Sequence, residues 1–194
     1  SSDDATNYIT TIEKETERLN KLINDLIELN HLEENLYVID HQPIAIAQLL
    51  FDTIDLFTIH LDKKELNPKL TIEEDLIITG DPQRLEQVFY NVIDNAIKYS
   101  SAGSKMSIEL KRTSAYVEFK VMNEGLSIHQ DDIDRIGERF FRTDKARNRT
   151  TGGTGLGLSI VKEIVKLHDG TFSLTSDPIT GTKVTIRLLG WLSD

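Results

Sequence analysis

The 194-residue chain is acidic: 22 Lys and Arg stand against 32 Asp and Glu, and a formal charge of −10 disfavours nucleic acid as a partner. It contains no cysteine, which excludes disulfides, thiolate metal sites and cysteine nucleophiles. No apolar run approaches the roughly 20 residues that cross a bilayer. Because the chain begins at Ser1 without an initiator Met, we expect a fragment of a longer protein, with any membrane anchor upstream.

Residues 6–32 predict a long helix, because they contain neither Gly nor Pro. Apolar residues recur there at steps of three and four, which is typical of a coiled coil or helical bundle. These residues are Ile9, Ile12, Leu19, Ile23 and Leu26. Two interpretations remain: the helix packs on its own domain, or it forms a dimeric bundle. The narrow apolar strip favours the bundle.

The next stretch, residues 33–43, loses this period and predicts a linker with a short edge strand at Tyr37-Val38-Ile39. We place a domain boundary near Glu34. Pro43 fits the first turn of a helix that continues to about Leu61. Asp81 and Pro82 then predict the start of another helix, since Asp caps free amides and Pro is tolerated in the first turn.

The remaining pattern predicts strands and helices in an order typical of an α+β fold. The predicted strands are 69–72, 76–79, 106–110, 116–121, 172–176 and 183–188. The predicted helices are 82–99, 130–136 and 156–167. We therefore predict a two-layer α/β sandwich, a mixed sheet covered on one face by helices, preceded by the long N-terminal helix.

One polar pair interrupts the apolar helix RLEQVFYNVIDNAIKYS, residues 84–100. Asn91 and Asn95 are four residues apart and share one face, with Lys98 on the next turn. Carboxamide oxygens are suitable ligands for Mg²⁺, and Lys98 can add a point charge beside phosphate. The alternative is a structural Asn pair that caps a neighbouring loop.

The segment GGTGLGLSIVKEIV, residues 152–165, is the strongest motif. Gly153, Gly155 and Gly157 open a helix, so unpaired backbone N–H groups can approach a polyphosphate closely. The segment matches neither the P-loop nor the dinucleotide fingerprint. A glycine hinge without a ligand is the alternative. The preceding loop, with Lys145, Arg147 and Arg149, predicts a mobile lid that orders on an anion.

Two further segments are weak alone: VMNEGLSI (121–128) indicates a turn after a strand, and ERFFR (138–142) indicates packing. Together with the motifs above and a late Gly181-Thr182, however, they resemble the ATP-binding domain of sensor histidine kinases, in the GHKL superfamily that includes DNA gyrase and the mismatch-repair ATPases. The resemblance covers about residues 43–189. Residues 18–35 resemble the second helix of the kinase dimerisation domain, which divides the chain into 1–34 and 35–194.

The resemblance implies that the domain binds ATP and Mg²⁺. It assigns the metal and phosphates to Asn91 and Asn95, and it makes Asn91, Lys98 and Arg142 the catalytic residues. The Phe140-Phe141 pair would anchor the lid, and Thr182 would lie near the base. The implied nucleotide-binding residues are Asn91, Asn95, Lys98, Tyr99, Asn123, Gly125, Ile128, Phe141, Arg142, Gly153, Thr154, Gly155, Leu156, Gly157, Leu158 and Thr182.

The sequence departs from the family at three points. Asn123 stands where most members have an Asp that accepts a hydrogen bond from the adenine amino group, and Ser127 replaces a glycine of the same motif. Asn keeps an acceptor but loses the charge. The phosphoacceptor sequence is also absent, since no His has its context; the five are His31, His41, His60, His129 and His168. We therefore expect a fragment that binds ATP but cannot phosphorylate itself.

The resemblance also implies partners and a location. A response regulator would receive the phosphoryl group, the full-length protein would be a homodimer, and the chain would be a cytoplasmic domain of an inner- or plasma-membrane sensor, in contact with the membrane only through upstream segments. Two alternatives remain. A related ATPase would need a Glu at position 91 to activate water, and a degenerate dimerisation module would have lost nucleotide binding, as Asn123 and Ser127 allow.

Overall fold

A computed structural model of the chain describes residues 2–34, 37–143 and 153–190. The helices in these ranges are α1 (Ser2–Glu33), α2 (Ile46–Asp55), α3 (Thr58–Lys63), α4 (Pro82–Tyr99), α5 (Gln130–Ile133) and α6 (Gly157–Leu167). The strands are β1 (Gln42–Ala45), β2 (Lys69–Ile72), β3 (Ile77–Gly80), β4 (Met106–Thr113), β5 (Tyr116–Asn123), β6 (Thr171–Asp177) and β7 (Gly181–Leu189).

The main sheet has five strands in the order β2-β4-β5-β7-β6. It is mixed, because β2 runs parallel to β4 while the other neighbours are antiparallel. The pairing of β5 with β7 places Asn123 opposite Thr182 at the end of the ladder. This architecture confirms the predicted α+β fold with a long N-terminal helix.

The core lies between this sheet and the apolar faces of α2, α4 and α6. Phe89 of α4 packs on Phe119 of β5, with ring centroids 4.7 Å apart. The start of α4 is the predicted one: Pro82 occupies the first turn, and the Asp81 carboxylate accepts a 3.2 Å hydrogen bond from the N–H of Arg84. Burial of one face of α4 leaves its polar face for other partners.

The linker and the first domain helix differ from the prediction. Residues 37–39 form no strand, and Val38 is 86% exposed. Pro43 lies in β1 opposite Thr79 of β3, in a separate two-stranded sheet, so the helix begins at Ile46 instead. A two-stranded sheet tolerates Pro because each of its strands has an edge that needs no donor. The helix predicted to reach Leu61 is divided into α2 and α3.

Helix α5 is also shorter than the prediction of 130–136, because it ends at Ile133 and is followed by turns. None of the helices in the three described ranges is long and apolar enough to cross a membrane.

The two ends of α1 differ in their packing. Near its C-terminus, Leu29 and Leu32 are buried in the core, and Glu28 forms an ion pair with Arg84 and accepts a 2.8 Å hydrogen bond from Gln87. Earlier apolar residues of the helix stay exposed, namely Tyr8, Ile9, Ile12, Leu19, Ile23 and Ile27. The helix therefore packs on its domain at one end and still presents the apolar stripe that favours a bundle. The division at residue 34 stays a prediction.

A buried histidine joins the end of α6 to the start of α4. His168 Nε2 accepts a 3.0 Å hydrogen bond from the N–H of Asp81, and Nδ1 lies 2.8 Å from the carbonyl oxygen of Ile164. These two contacts fix a neutral ring with its proton on Nδ1. Burial lowers the pKa of His168, which keeps the ring neutral.

Candidate nucleotide-binding site

A cleft of about 490 Å³ opens beside the polar face of α4. Its other walls come from the ends of β5 and β7, the segment that leads into α6, and one face of α1. Pockets that bind nucleotide-sized ligands are of this size. The cleft is therefore the candidate functional site.

The α4 wall presents the asparagine pair. Asn95 Nδ2 donates a 2.8 Å hydrogen bond to the backbone carbonyl of Asn91, one turn earlier. A Cβ atom placed on Gly157, at the start of α6, would lie 3.5 Å from Asn91 Oδ1 and 3.8 Å from Asn95 Nδ2. Both carboxamides thus face the first turn of α6, where backbone N–H groups have no intrahelical acceptor. This brings two motifs that are far apart in the sequence to one place.

Lys98 also lines the cleft, but its ammonium group contacts Asp94 at 2.5 Å. The sequence analysis predicted that the Lys98 charge lies beside phosphate, and it did not predict the ion pair with Asp94. The spacing in the sequence indicates this ion pair, because Asp94 lies four residues before Lys98 and three after Asn91 on the same helix.

The glycine loop approaches the cleft with its backbone. Gly155 has φ +78°, and a Cβ there would lie 3.1 Å from the backbone of Phe140, so a side chain would be both strained and crowded. Leu156 is fully buried and precedes the first turn of α6, and its N–H donates a 3.3 Å hydrogen bond to the hydroxyl of Thr154. The loop is anchored by one apolar side chain while its neighbours line the cleft.

The opposite end of the cleft is formed by Asn123, which is only 5% exposed. Its Nδ2 is buried and has no hydrogen-bond partner in the described part of the chain. Glycines fix the backbone around it: a Cβ on Gly125 would lie 2.0 Å from the carbonyl oxygen of Tyr99, and one on Gly181 would lie 2.1 Å from that of Asn123. Gly181 also has φ +86°. These approaches exclude any side chain at either glycine.

Hydroxyl groups lie beside Asn123. Thr182, its partner across the ladder, lies 2.9 Å from the hydroxyl of Ser176, and either oxygen can be the donor. Ser176 also accepts a 3.0 Å hydrogen bond from the N–H of Ile128. Ser176 was not predicted, because the contact depends on the pairing of β6 with β7.

The residues before the lid contact the loop. Arg142 donates a 3.2 Å hydrogen bond to the carbonyl of Gly153, and the guanidinium of Arg135 lies 4.2 Å from the centre of the Phe141 ring. Phe141 lines the cleft, whereas Phe140 is 48% exposed and has φ +63°. The predicted lid cations Lys145, Arg147 and Arg149 lie outside the described residues.

One wall was not predicted at all. Lys14, Arg18, Lys21 and Asp25 of α1 line the cleft, and the Asp25 carboxylate accepts a 2.9 Å hydrogen bond from Thr154. Burial raises the pKa of Asp25, and this hydrogen bond offsets part of the rise. Their spacing of four, three and four residues places these side chains on one helix face, and that was the available signal.

The structure brings the predicted nucleotide-binding residues together. All of them line the cleft except Gly125 and Leu156, which are not among its lining residues. Gly125 allows the close approach to Tyr99, and Leu156 anchors the loop. Their roles toward a ligand stay predictions.

Comparison with known proteins agrees with this arrangement. The model of the histidine kinase-, DNA gyrase B- and HSP90-like ATPase family matches residues 80–190. The sensor-like histidine kinase SenX3 of Mycobacterium tuberculosis (strain H37Rv) is 36% identical over 174 residues, which cover 90% of this chain and 42% of that protein. The sensor histidine kinase WalK of Bacillus subtilis is 34% identical over 188 residues, covering 96% of this chain and 31% of WalK.

The chain therefore spans less than half the length of these two relatives. Among solved structures, the Acinetobacter baumannii histidine kinase AdeS superimposes with a TM-score of 0.78 at 26% identity, over 93% of this chain and 83% of AdeS. Its similarity extends beyond the matched family region into the N-terminal part. The family model covers more than half of the chain, and the chain belongs to the histidine kinase-, DNA gyrase B- and HSP90-like ATPases.

Proposed function

We propose that the chain is the ATP-binding kinase domain of a two-component sensor histidine kinase. In this role it donates the γ-phosphate of Mg·ATP to a phosphoacceptor histidine outside these residues, for relay to an aspartate of a response regulator. The observation that carries the proposal is the Asn91 and Asn95 pair, which faces the start of α6 at Gly157. The sensor kinase relatives support it.

The donor atoms of the asparagine pair fit Mg²⁺. Because Asn95 Nδ2 is bound to the carbonyl of Asn91, its Oδ1 would be the atom left to hold the metal, and Asn91 Oδ1 lies beside the same helix start. Neutral oxygen ligands suit this cation, which keeps phosphates and waters as its other ligands. When bound, Mg²⁺ would neutralise part of the charge on the β- and γ-phosphates.

The other polar groups would position the nucleotide. The first N–H groups of α6 and the backbone of Gly153, Thr154 and Gly155 would bind phosphate oxygens, aided by the partial positive charge at the helix start. Arg142, already in contact with Gly153, would bind the terminal phosphate. At the far end, Asn123 and Thr182 would contact the base. Transfer would then depend on position and charge neutralisation rather than on a general base.

Partners follow from the same proposal. A homodimer would use the exposed apolar stripe of α1, from Tyr8 to Ile27, since a row of exposed apolar residues on a helix pairs with another helix. The domain would act in the cytoplasm and would reach a membrane only through segments outside these residues. The acidic composition of the chain disfavours nucleic acid as a further partner.

Isothermal titration of the purified chain with Mg·ADP tests the proposal. We expect binding with a Kd of about 1 mM or tighter, which corresponds to about −4 kcal/mol or more. EDTA should weaken binding of ATP, and incubation with ATP should leave the chain unphosphorylated. If no heat of binding is detected at nucleotide concentrations several-fold above this Kd, the degenerate dimerisation module would be favoured. Steady release of inorganic phosphate from ATP would instead favour the hydrolase, although Asn91 cannot act as a base.

A further inference from the structure

The side chain of Asn123 is a polar group buried in the cleft wall without a protein partner for its amide nitrogen. The residue is only 5% exposed, and no described atom accepts a hydrogen bond from Nδ2. A buried donor that stays unpaired costs about 1–3 kcal/mol. Such a group indicates a ligand atom that would accept its hydrogen bond.

A carboxamide can recognise purines in two orientations. In one, Oδ1 accepts from the 6-amino group of adenine while Nδ2 donates to ring nitrogen N1. After a half-turn of the amide, Nδ2 donates to the 6-keto oxygen of guanine or hypoxanthine while Oδ1 accepts from N1–H. A carboxylate at this position has only acceptors: it pairs with the 6-amino group of adenine, whereas toward hypoxanthine it can accept only from N1–H and repels the keto oxygen.

We infer that Asn123 allows the site to bind 6-oxopurine nucleotides, such as those of guanine, together with adenine nucleotides. The inference rests on the proposed function, in which this cleft binds a purine nucleotide. It makes residue 123 a determinant of base specificity.

The surroundings of Asn123 leave base selection to the orientation of its own side-chain amide. The close approaches at Gly125 and Gly181 fix the backbone on both sides, so the wall cannot shift to suit a different base. No described group holds Nδ2, so a half-turn of the amide breaks no hydrogen bond to that atom. The neighbouring Thr182 and Ser176 hydroxyls can exchange donor and acceptor roles. Hydrogen-bond donors and acceptors at this end of the cleft can therefore exchange places.

Competitive titration with ADP, IDP and GDP, all with Mg²⁺, tests the inference. IDP is the sharpest probe, because it differs from ADP only in the 6-substituent and in the proton on N1. For the chain as it is, we expect IDP to bind within about tenfold of ADP, a difference of about 1.4 kcal/mol or less. In Asn123→Asp, which has the same shape, ADP should bind about a hundredfold more tightly than IDP, which lacks the 2-amino group that could pair guanine with a carboxylate.

Ser127→Gly is the matched control, because it reverses the other departure in the same motif without changing the amide. Its ratio of ADP to IDP affinity should equal that of the unchanged chain. If the unchanged chain rejects IDP as strongly as Asn123→Asp does while it binds ADP, the inference is wrong and the proposed function stands. If the unchanged chain binds none of the three nucleotides, both are wrong.

Discussion

The hydroxyl of Thr154 donates a 2.9 Å hydrogen bond to the carboxylate of Asp25, and this bond joins α1 to the glycine loop. The loop is the part of the cleft where phosphate is proposed to bind. An acidic side chain therefore lies where a polyanion would approach, and the same helix adds three cations and two further carboxylates to the lining, namely Lys14, Arg18, Lys21, Glu15 and Glu17. Under the proposed function, the affinity of the site for nucleotide would depend on this helix as well as on the ATPase-family region.

Asp25→Asn should increase the affinity for Mg·ADP by about threefold to tenfold at low salt, because it removes one negative charge near the phosphates and keeps an acceptor for Thr154. The gain should shrink as salt rises. Titration calorimetry at two ionic strengths measures both effects. Glu13→Gln is the control, since it removes the same charge from an exposed position on α1 outside the cleft. Equal gains in the two variants would contradict a local role for Asp25.

Asn95→Ala should reduce Mg·ADP affinity at least about a hundredfold, because it removes a proposed metal ligand. The free energy of unfolding should fall by only about 0.5–1.5 kcal/mol, since the side chain donates a single hydrogen bond within α4. Calorimetry and urea denaturation give the two values. Gln48→Ala, on the exposed face of α2, should change neither by much. An unfolded variant, or one with full affinity, would count against the assignment.

Gly125→Ala should lower the free energy of unfolding by at least about 2 kcal/mol, because its Cβ would lie 2.0 Å from the Tyr99 carbonyl oxygen. Gly153→Ala should stay within about 0.5 kcal/mol, since no described atom lies within 4 Å of its Cβ position. Urea denaturation of both variants compares them. Similar losses would show that the two glycines do not differ as the structure indicates.

Local patterns predicted most of the fold. The Asp81-Pro82 start of α4 was correct because capping depends on neighbouring residues alone. The strand at 37–39 was wrong because β-propensity needs a partner, and β3 pairs instead with β1. Pro43 fits both a helix start and an edge strand, so only the tertiary pairing decides.

For the site as well, features that depend on local sequence were predicted, and features that depend on tertiary packing were not. The asparagine pair and glycine loop carry their signal in short spacings, and the structure places them together. The α1 wall and Ser176 were not predicted. The spacing on α1 was visible in the sequence, but the packing of that face against the cleft, like the contact of Ser176 with Thr182, depends on how distant elements pack.

His168 should make the protein less stable as pH falls from about 7.5 to about 5.5. Its pKa is lowered by burial, so the unfolded chain takes up a proton near pH 6.5 while the folded ring stays neutral. The unfolded state then binds more protons, and the free energy of unfolding falls by up to about 1.4 kcal/mol per pH unit. Protonation of Nε2 would also oppose the N–H of Asp81.

Urea denaturation across this pH range measures the slope, and His168→Gln should reduce it. His31→Gln is the control, because it makes the same substitution at an exposed position on α1, and an equal reduction of the slope in both variants would contradict the role of His168. A direct NMR titration of the His168 ring covers the case in which the substitution prevents folding. A ring that becomes protonated above pH 6.5 in the folded protein would contradict this account.

The glycines that surround Asn123 have a consequence for how base preference can evolve. Their backbone contacts hold the wall in place without help from the side chain at position 123. A single nucleotide change in the Asn codon can give Asp, and the wall would accept that replacement without rearrangement. Related domains could therefore gain or lose the binding of 6-oxopurine nucleotides in a single mutational step, with stability almost unaffected.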